Sequence, residues 1–222
     1  MAAMKLYGVP LSAPFRAVEI LLKMLNVPYE VVPIDPAKGD QRKAEFLAIN
    51  PLGQIPAIQE GDFTLGESNA ILIYLQAAYS GTASLYPVDA KLRAKVDQYL
   101  HWHHATTRKF SWLVFGALLA PLFNMTLPDS FIPEHRGHVT KALTGLERWL
   151  TVHPYLAGDE LTLADVAAFT EVDQGRAVDV DLAAYPHVQA WVARLKEIPA
   201  FQESTAAVTA FIAANEAKAK AA

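Results

Sequence analysis

Cysteine is missing from all 222 positions of this sequence, and that one absence removes disulfide frameworks, cysteine zinc sites, thiol nucleophiles and redox dithiols. Any sulfur chemistry performed here must use a sulfur that arrives with a ligand. A basic excess is missing too: Lys and Arg number 19 against 23 Asp and Glu, a net charge of −4, so nothing favours a nucleic-acid backbone. The longest nearly apolar stretch, Trp112 to Phe123, is shorter than the ~20 residues that a membrane span needs. Met1 opens no basic segment leading to an apolar stretch and a cleavage site. A cytoplasmic protein with no membrane partner is expected. What the chain has instead is 52% apolar residues, enough for a sizeable core, over a length that suits one large or two small domains.

Met4 to Val9 alternates apolar and polar positions as a short strand does, and Pro10 ends it. From Pro14 onward, Val18, Leu21, Leu22 and Leu25 recur at i, i+3, i+4 and i+7, the stripe of an amphipathic helix. Tyr29 to Ile34 resumes a strand pattern, giving a βαβ unit whose two strands run parallel. A polar stretch, Asp35 to Lys43, leads into a short helical segment around Ala44, Phe46 and Leu47. Pro56 to Gln59 and Phe63 to Leu65 then flank a turn at Glu60, Gly61 and Asp62. Glu67 to Ala78 is apolar nearly all round and reads as a helix buried on most sides.

Strand signals end there. Residues 79–88 show no period and read as a linker between a unit at 1–78 and a second at 89–222. In that second unit Ala90 to Ala120, Pro133 to Val152, Thr162 to Val178, Pro186 to Ile198 and Ala200 to Ala217 all read as helices. The last residues, Glu216 to Ala222, read as a fraying helix end. The fold class is therefore α+β in two domains, βαβ–ββα followed by all-α.

Specific residues carry a family resemblance across positions 4 to about 200. Leu11 to Val18 resembles the Ser-type active-site turn of theta- and delta-class cytosolic glutathione transferases, and Asn50 to Ile58 resembles that family's cis-proline segment. Gly66 to Ile71 looks like the Glu-Ser motif that receives the γ-glutamyl end of glutathione, and Trp102 to Arg108 is similar to theta-class sequences. The resemblance implies a thioredoxin-like N-terminal domain that binds glutathione and an all-helical domain that forms the electrophile site. It further implies a homodimer, glutathione as co-substrate with no other cofactor, and small hydrophobic electrophiles as second substrates. A glutathione-dependent peroxidase or dehalogenase and a non-catalytic interaction module are the alternatives. A Cys-type reductase is excluded by the missing cysteine.

Each matched residue also has an ordinary structural role. Ser12, at a strand-to-helix entry, is placed to cap the helix; the resemblance gives its hydroxyl to the glutathione sulfur instead. Tyr7 is the rival, because other classes use a tyrosine near the end of the first strand. Here it is one register off, and successive strand residues point to opposite faces. Pro56 is implied to be cis, presenting the backbone of Ile55 to the ligand with Gln54 beside it. Glu67 and Ser68 stand at a helix start, where a cap and a first-turn acid are ordinary; the resemblance assigns them to the γ-glutamyl group. Gln41 falls where many theta sequences carry a histidine that reaches the glycine carboxylate, with Lys38 or Arg42 as substitutes.

Arg108, four residues beyond His104 on an expected common helical face, is implied to face the active site, with a surface ion pair as the alternative. Leu11, Arg108, Trp112 and Phe115 are expected to wall the electrophile pocket. Thr162 and Asp165 form a capping box with Leu161 and Val166 as its hydrophobic staple, a structural feature. The pairs His101/His104 and His135/His138 have a spacing that metal sites use, but no carboxylate completes them, and no metal is expected.

Overall fold

The computed structural model describes residues 4–80 and 85–221. Its first half is a four-stranded sheet in the order β2-β1-β3-β4, built from β1 (Met4–Gly8), β2 (Tyr29–Pro33), β3 (Ala57–Glu60) and β4 (Phe63–Gly66). The expected βαβ unit is present, with β1 parallel to β2 (Leu6 opposite Val31). β3 runs antiparallel to β1 (Leu6 opposite Ile58), and β4 antiparallel to β3 (Ala57 opposite Gly66). The β3–β4 hairpin turns at Gly61, whose φ of +59° is one that glycine adopts without steric cost.

Helices α1 (Ala13–Met24) and α3 (Ser68–Tyr79) cover one face of the sheet; Leu6, Phe15, Val18, Leu21, Ile58, Ile71 and Leu75 form the packing there. A short α2 (Ala44–Leu47) covers the other face, where Phe46 packs with Tyr7, Ile34 and Ala57. Two 3-10 turns, Pro36–Lys38 and Asp40–Arg42, fill the stretch that reads as merely polar in the sequence. The expected linker falls partly outside the described residues, at 81–84. Beyond it Leu85 is pinned to both halves: its N–H donates to Gln76 Oε1 (2.8 Å) and its carbonyl accepts from Leu163 N (2.9 Å).

The second half is helical: α4 (Ala90–Ala105), α5 (Lys109–Val114), α6 (Phe131–Leu150), α7 (Leu163–Gln174), α8 (Pro186–Lys196), α9 (Pro199–Ser204) and α10 (Ala206–Ala221). Every residue of α7 is buried: α4, α5 and α8 pack on it, and α1 lies directly against it. One apolar cluster therefore runs from the sheet through α1 into the helices. Each fully buried large side chain in it, such as Phe15, Phe169 or Trp191, contributes about 1.5–3 kcal/mol by leaving water.

Two expected helices are broken. The span Ala90 to Ala120 ends at Thr106 (φ −127°, ψ −86°) and resumes as α5, one turn of π-helix (Phe115–Leu119) and a 3-10 turn (Ala120–Phe123). His104 and Arg108 consequently do not share a face of one continuous helix. The span Ala200 to Ala217 is divided at Thr205 into α9 and α10. Both breaks fall at hydroxyl pairs that compete with the backbone for hydrogen bonds. Thr106 Oγ1 donates to the Trp102 carbonyl and Thr107 Oγ1 sits between Tyr99 OH (2.9 Å) and His103 Nδ1 (3.1 Å). Ser204 and Thr205 hydroxyls donate to the carbonyls of Phe201 and Gln202, each at 2.8 Å.

Candidate active site

Strand direction alone gathers most of the candidate residues. β1 and β4 run the same way, so α1 and α3, which follow them, both begin at one edge of the sheet. β3 runs oppositely, so its start lies at that same edge; Tyr7, Ala57 and Gly66 stand side by side across three strands. Leu11, Ser12, Gln54, Ile55, Pro56, Glu67 and Ser68 follow or precede these positions by only a few residues. Two twelve-residue helices thus present their N-termini, the positive ends of their dipoles, at one edge.

Ser12 occupies the N-cap position of α1 with extended backbone (φ −71°, ψ 121°), yet its side chain makes no capping hydrogen bond. The residue is half-buried, its N–H held by the Val9 carbonyl at 3.0 Å. Leu11 beside it is also half-buried. Glu67 is the N-cap of α3; it too makes no side-chain cap, is exposed, and has φ +62°. For a residue with a Cβ that conformation costs of order 1–3 kcal/mol, so the surrounding structure must impose it. Tyr7 points the other way, into the α2 face, where its hydroxyl donates to Gln59 Oε1 at 2.7 Å.

The Ile55–Pro56 peptide bond is cis. The loop before it is held by Asn50, whose Nδ2 donates to the Gln54 carbonyl (2.8 Å) and whose Oδ1 accepts from Leu52 N (3.2 Å). Gln41 adjoins that loop, its carbonyl 3.0 Å from where a Cβ on Gly53 would stand. Its side-chain Nε2 reaches the Pro36 carbonyl only at 3.5 Å, and its buried Oε1 has no donor among the described residues. Lys38 is paired with Asp35 at 3.3 Å, and Arg42 is exposed.

Arg108, Trp112 and Phe115 are grouped on the other half, on α5 and its flanks. Arg108 Nη1 donates to Glu171 Oε1 (2.9 Å) and to Ser111 Oγ (2.7 Å). Its partner is not a surface carboxylate: the Glu171 side chain is 1% exposed, that of Arg108 33%. Trp112 is exposed and meets Phe115 edge-on with centroids 6.1 Å apart; Phe115 in turn packs on Phe123 at 5.4 Å. Thr162 and Asp165 form their box: the Asp165 carboxylate accepts from Thr162 N (3.0 Å) and Oγ1 (3.1 Å), and also from Leu156 N and Trp191 Nε1, both at 2.9 Å. Of the histidines, His104 is exposed near Asn69 Nδ2 (3.5 Å) and His135 stacks on Phe131 at 4.1 Å.

Several residues that the sequence did not single out tie the two halves together. Arg16, fully buried on α1 one turn after Ser12, donates to Asp173 Oδ2 (3.1 Å), the Thr170 carbonyl (2.9 Å) and the Ser204 carbonyl (3.4 Å). Burial pulls the pKa of its guanidinium down, and Asp173 opposes that. Asp173 also takes Arg176 Nε at 2.9 Å and lies 3.7 Å from Lys196 Nζ. In the sequence Arg16 stands opposite the stripe of Val18, Leu21, Leu22 and Leu25, on the side of Glu19 and Lys23, so no local pattern marks it as buried. Burial also pushes the His103 imidazole down to about 4.

The family models agree with this architecture: the glutathione S-transferase N-terminal domain matches residues 2–77 and the C-terminal domain residues 110–199. The chain belongs to the glutathione S-transferase family. Within it the similarity is to theta-class proteins: human glutathione S-transferase theta-2B is 38% identical over 188 residues, covering 83% of this chain and 77% of that protein. Maize glutathione S-transferase 3 is 37% identical over 94% of this chain and 96% of its own length. Among solved structures, human theta-2 in complex with glutathione superposes with a TM-score of 0.89 at 33% identity, covering 97% of this chain and 91% of that one. A human theta-class enzyme holding the glutathione conjugate of 1-menaphthyl sulfate gives 0.88 at 34% identity, with 98% and 91% covered.

Proposed function

We propose that this chain is a Ser-type glutathione transferase that joins the glutathione thiolate to small hydrophobic electrophiles, by substitution or addition. The observation that carries the reading is the shared sheet edge, where two uncapped helix N-termini, the uncommitted Ser12 hydroxyl and the cis Ile55–Pro56 loop converge. In this assignment residues 1–78 bind glutathione and residues 89–222 form the electrophile site. Ser12 Oγ donates to the sulfur while the α1 dipole favours the anion. Ser68 and the α3 N-terminus take the γ-glutamyl carboxylate, Glu67 its ammonium, and the Ile55 backbone and Gln54 the cysteinyl peptide group. Gln41 is assigned to the glycine end, and Leu11, Arg108, Trp112 and Phe115 to the electrophile.

Thiolate formation is only part of the rate. If the site lowers the thiol pKa from ~8.5 to ~6.5, the thiolate fraction at neutral pH rises from ~3% to ~75%. With a Brønsted slope of ~0.45 the less basic thiolate is about 8-fold slower, which leaves a net gain of about threefold. Holding the electrophile beside the sulfur and stabilising the leaving group must supply the rest, and Arg108 is the cation assigned to the latter. We further assign the chain to the cytoplasm, as a homodimer that uses glutathione as co-substrate. Among the described residues no helix is long and apolar enough to cross a membrane.

The test is retention on immobilised glutathione, a conjugation assay, and the ultraviolet thiolate absorbance of bound glutathione. Ser12→Ala is expected to abolish that absorbance and lower turnover at least tenfold while glutathione affinity stays within a few-fold. Equal loss of binding and turnover, or no loss of either, overturns the assignment of Ser12.

A further inference from the structure

The structure assigns a positioning role to Glu171: it fixes the Arg108 guanidinium with one edge free, on the side of α5 that carries Trp112, at the electrophile site. This rests on the transferase reading above. The two N–H groups of Arg108 Nη1 are both used, one on Glu171 Oε1 (2.9 Å) and one on Ser111 Oγ (2.7 Å). The Ser111 hydroxyl donates its only proton to Glu171 Oε2 (2.7 Å) and also accepts from Gln174 Nε2 (2.6 Å), which reaches Glu171 Oε2 at 2.6 Å as well. Both Nη1 protons of Arg108 and the Ser111 hydroxyl proton are thus matched to acceptors. The outer edge, Nε and Nη2, has no protein acceptor among the described residues, and it belongs to a side chain one-third exposed.

An edge of that shape offers two parallel N–H groups, the fork that grips an oxyanion side-on or a single departing anion. Without the clamp the same guanidinium would sample many rotamers; with it, one orientation is set before any substrate arrives. Arg108, Trp112 and Phe115 fall at i, i+4 and i+7 through α5, so the fork and the exposed aromatic edge share one side. Glu171 comes from α7, the helix that also holds Arg16, one turn beyond Ser12 on α1. A single buried helix therefore references the arginine turn and the serine helix to each other.

Glu171→Gln is the informative change. Three donors converge on the Glu171 carboxylate, so an amide there sets donor against donor at Ser111 or Gln174 and opens the cradle while keeping the shape. For an electrophile that expels halide, kcat is expected to fall at least fivefold, with the KM for glutathione within twofold and a smaller change for addition to an enone. In an Arg108→Ala background the same substitution is expected to change kcat less than twofold, because the group it positions is gone. Arg108→Ala alone strands a buried carboxylate; Arg108→Ala/Glu171→Gln should regain much of the lost thermal stability, which keeps the cycle measurable. Ser111→Ala, which leaves the ion pair, should move kcat two- to threefold in the same direction. A full-sized effect of Glu171→Gln in the Arg108→Ala background, or equal losses on both electrophiles that track thermal stability, overturns the proposal. A parent chain that turns over neither electrophile overturns the transferase reading and this proposal with it, whereas an active parent with an unchanged Glu171→Gln overturns this proposal alone.

Discussion

The sheet half and the helical half treat their polar groups in opposite ways. At the sheet edge the hydroxyl of Ser12 and the carboxylate of Glu67 sit at helix N-termini without capping them, and Gln41 Oε1 is buried without a donor among the described residues. In the helical half Ser130 also leaves α6 uncapped, but three buried carboxylates are fully engaged: Asp165 takes four donors, Glu171 three, and Asp173 collects Arg16, Arg176 and Lys196. Unpaired polar groups cost stability, and fully paired buried ones confer rigidity. The difference separates polar groups left open at the sheet edge from buried carboxylates that hold the helices in place. Breaking one member in each half should accordingly produce losses of different kinds.

The largest effect is expected at Asp173. Asp173→Ala leaves the Arg16 guanidinium, fully buried, with hydrogen bonds to only two carbonyls and with Glu171 as its remaining nearby carboxylate, and stranding one partner of a buried pair costs about 3–5 kcal/mol. For a chain of this length that is a fall of roughly 6–20 °C in the melting temperature. Replacing both Arg16 and Asp173 by apolar residues should recover much of it. If the single variant melts with the parent, the two halves are not joined through this pair.

A somewhat smaller effect comes from pH. His103 is buried among Tyr99, Thr107 and the Arg108–Glu171 pair, and burial holds it neutral down to about 4, against an ordinary value near 6.5. The unfolded chain therefore binds a proton that the folded chain refuses between those two values. Stability contributed by the neutral imidazole is complete above about pH 6.5 and is lost as pH falls toward 4, by about 3 kcal/mol in all. Denaturant titrations across that window should show the slope, and His103→Gln should flatten it. An unchanged slope in the variant would place the acid sensitivity elsewhere.

How far the sequence reveals this contrast can be traced residue by residue. Strand and helix boundaries in the first half are close to those expected, because Pro10, Pro28 and Gly61 punctuate clear periods of two and 3.6. The Thr162–Asp165 box was also legible, being a local pattern; its bonds to Leu156 N and Trp191 Nε1 were not, since they come from outside the box. The two helix breaks escaped for the same reason. Ala105–Thr106–Thr107–Arg108 contains no Gly or Pro, and what breaks it is hydroxyls finding Trp102, Tyr99 and His103. Those breaks have consequences: one sets Arg108 against Glu171, and the other frees the Ser204 carbonyl for Arg16. A long-range pair such as Arg16–Asp173, 157 positions apart, leaves no local signal, because Arg16 lies on the side of α1 that also carries Glu19 and Lys23 and reads as solvated.

The smallest expected effect is the sharpest on the contrast, because it concerns two hydroxyls near one strand end. Tyr7 and Ser12 both lie close to the end of β1, and either residue type can donate to a thiolate. The strand register separates them: Tyr7 packs with Phe46, Ile34 and Ala57 on the α2 face and spends its proton on Gln59 Oε1, whereas Ser12 opens α1 with its hydroxyl uncommitted. Tyr7→Phe should remove one hydrogen bond, worth about 0.5–1.5 kcal/mol of folding stability, and leave turnover within twofold. Ser12→Ala should do the reverse. Removing a capping serine ordinarily costs about 0.5–2 kcal/mol, but here no cap bond is lost, so folding stability should barely move while turnover falls. The thiolate absorbance of bound glutathione should survive the first substitution and vanish in the second. Were it to vanish in Tyr7→Phe instead, the phenol would be reaching the sulfur past the plane of the sheet, and the division between a saturated face and a receptive edge would not hold even within β1.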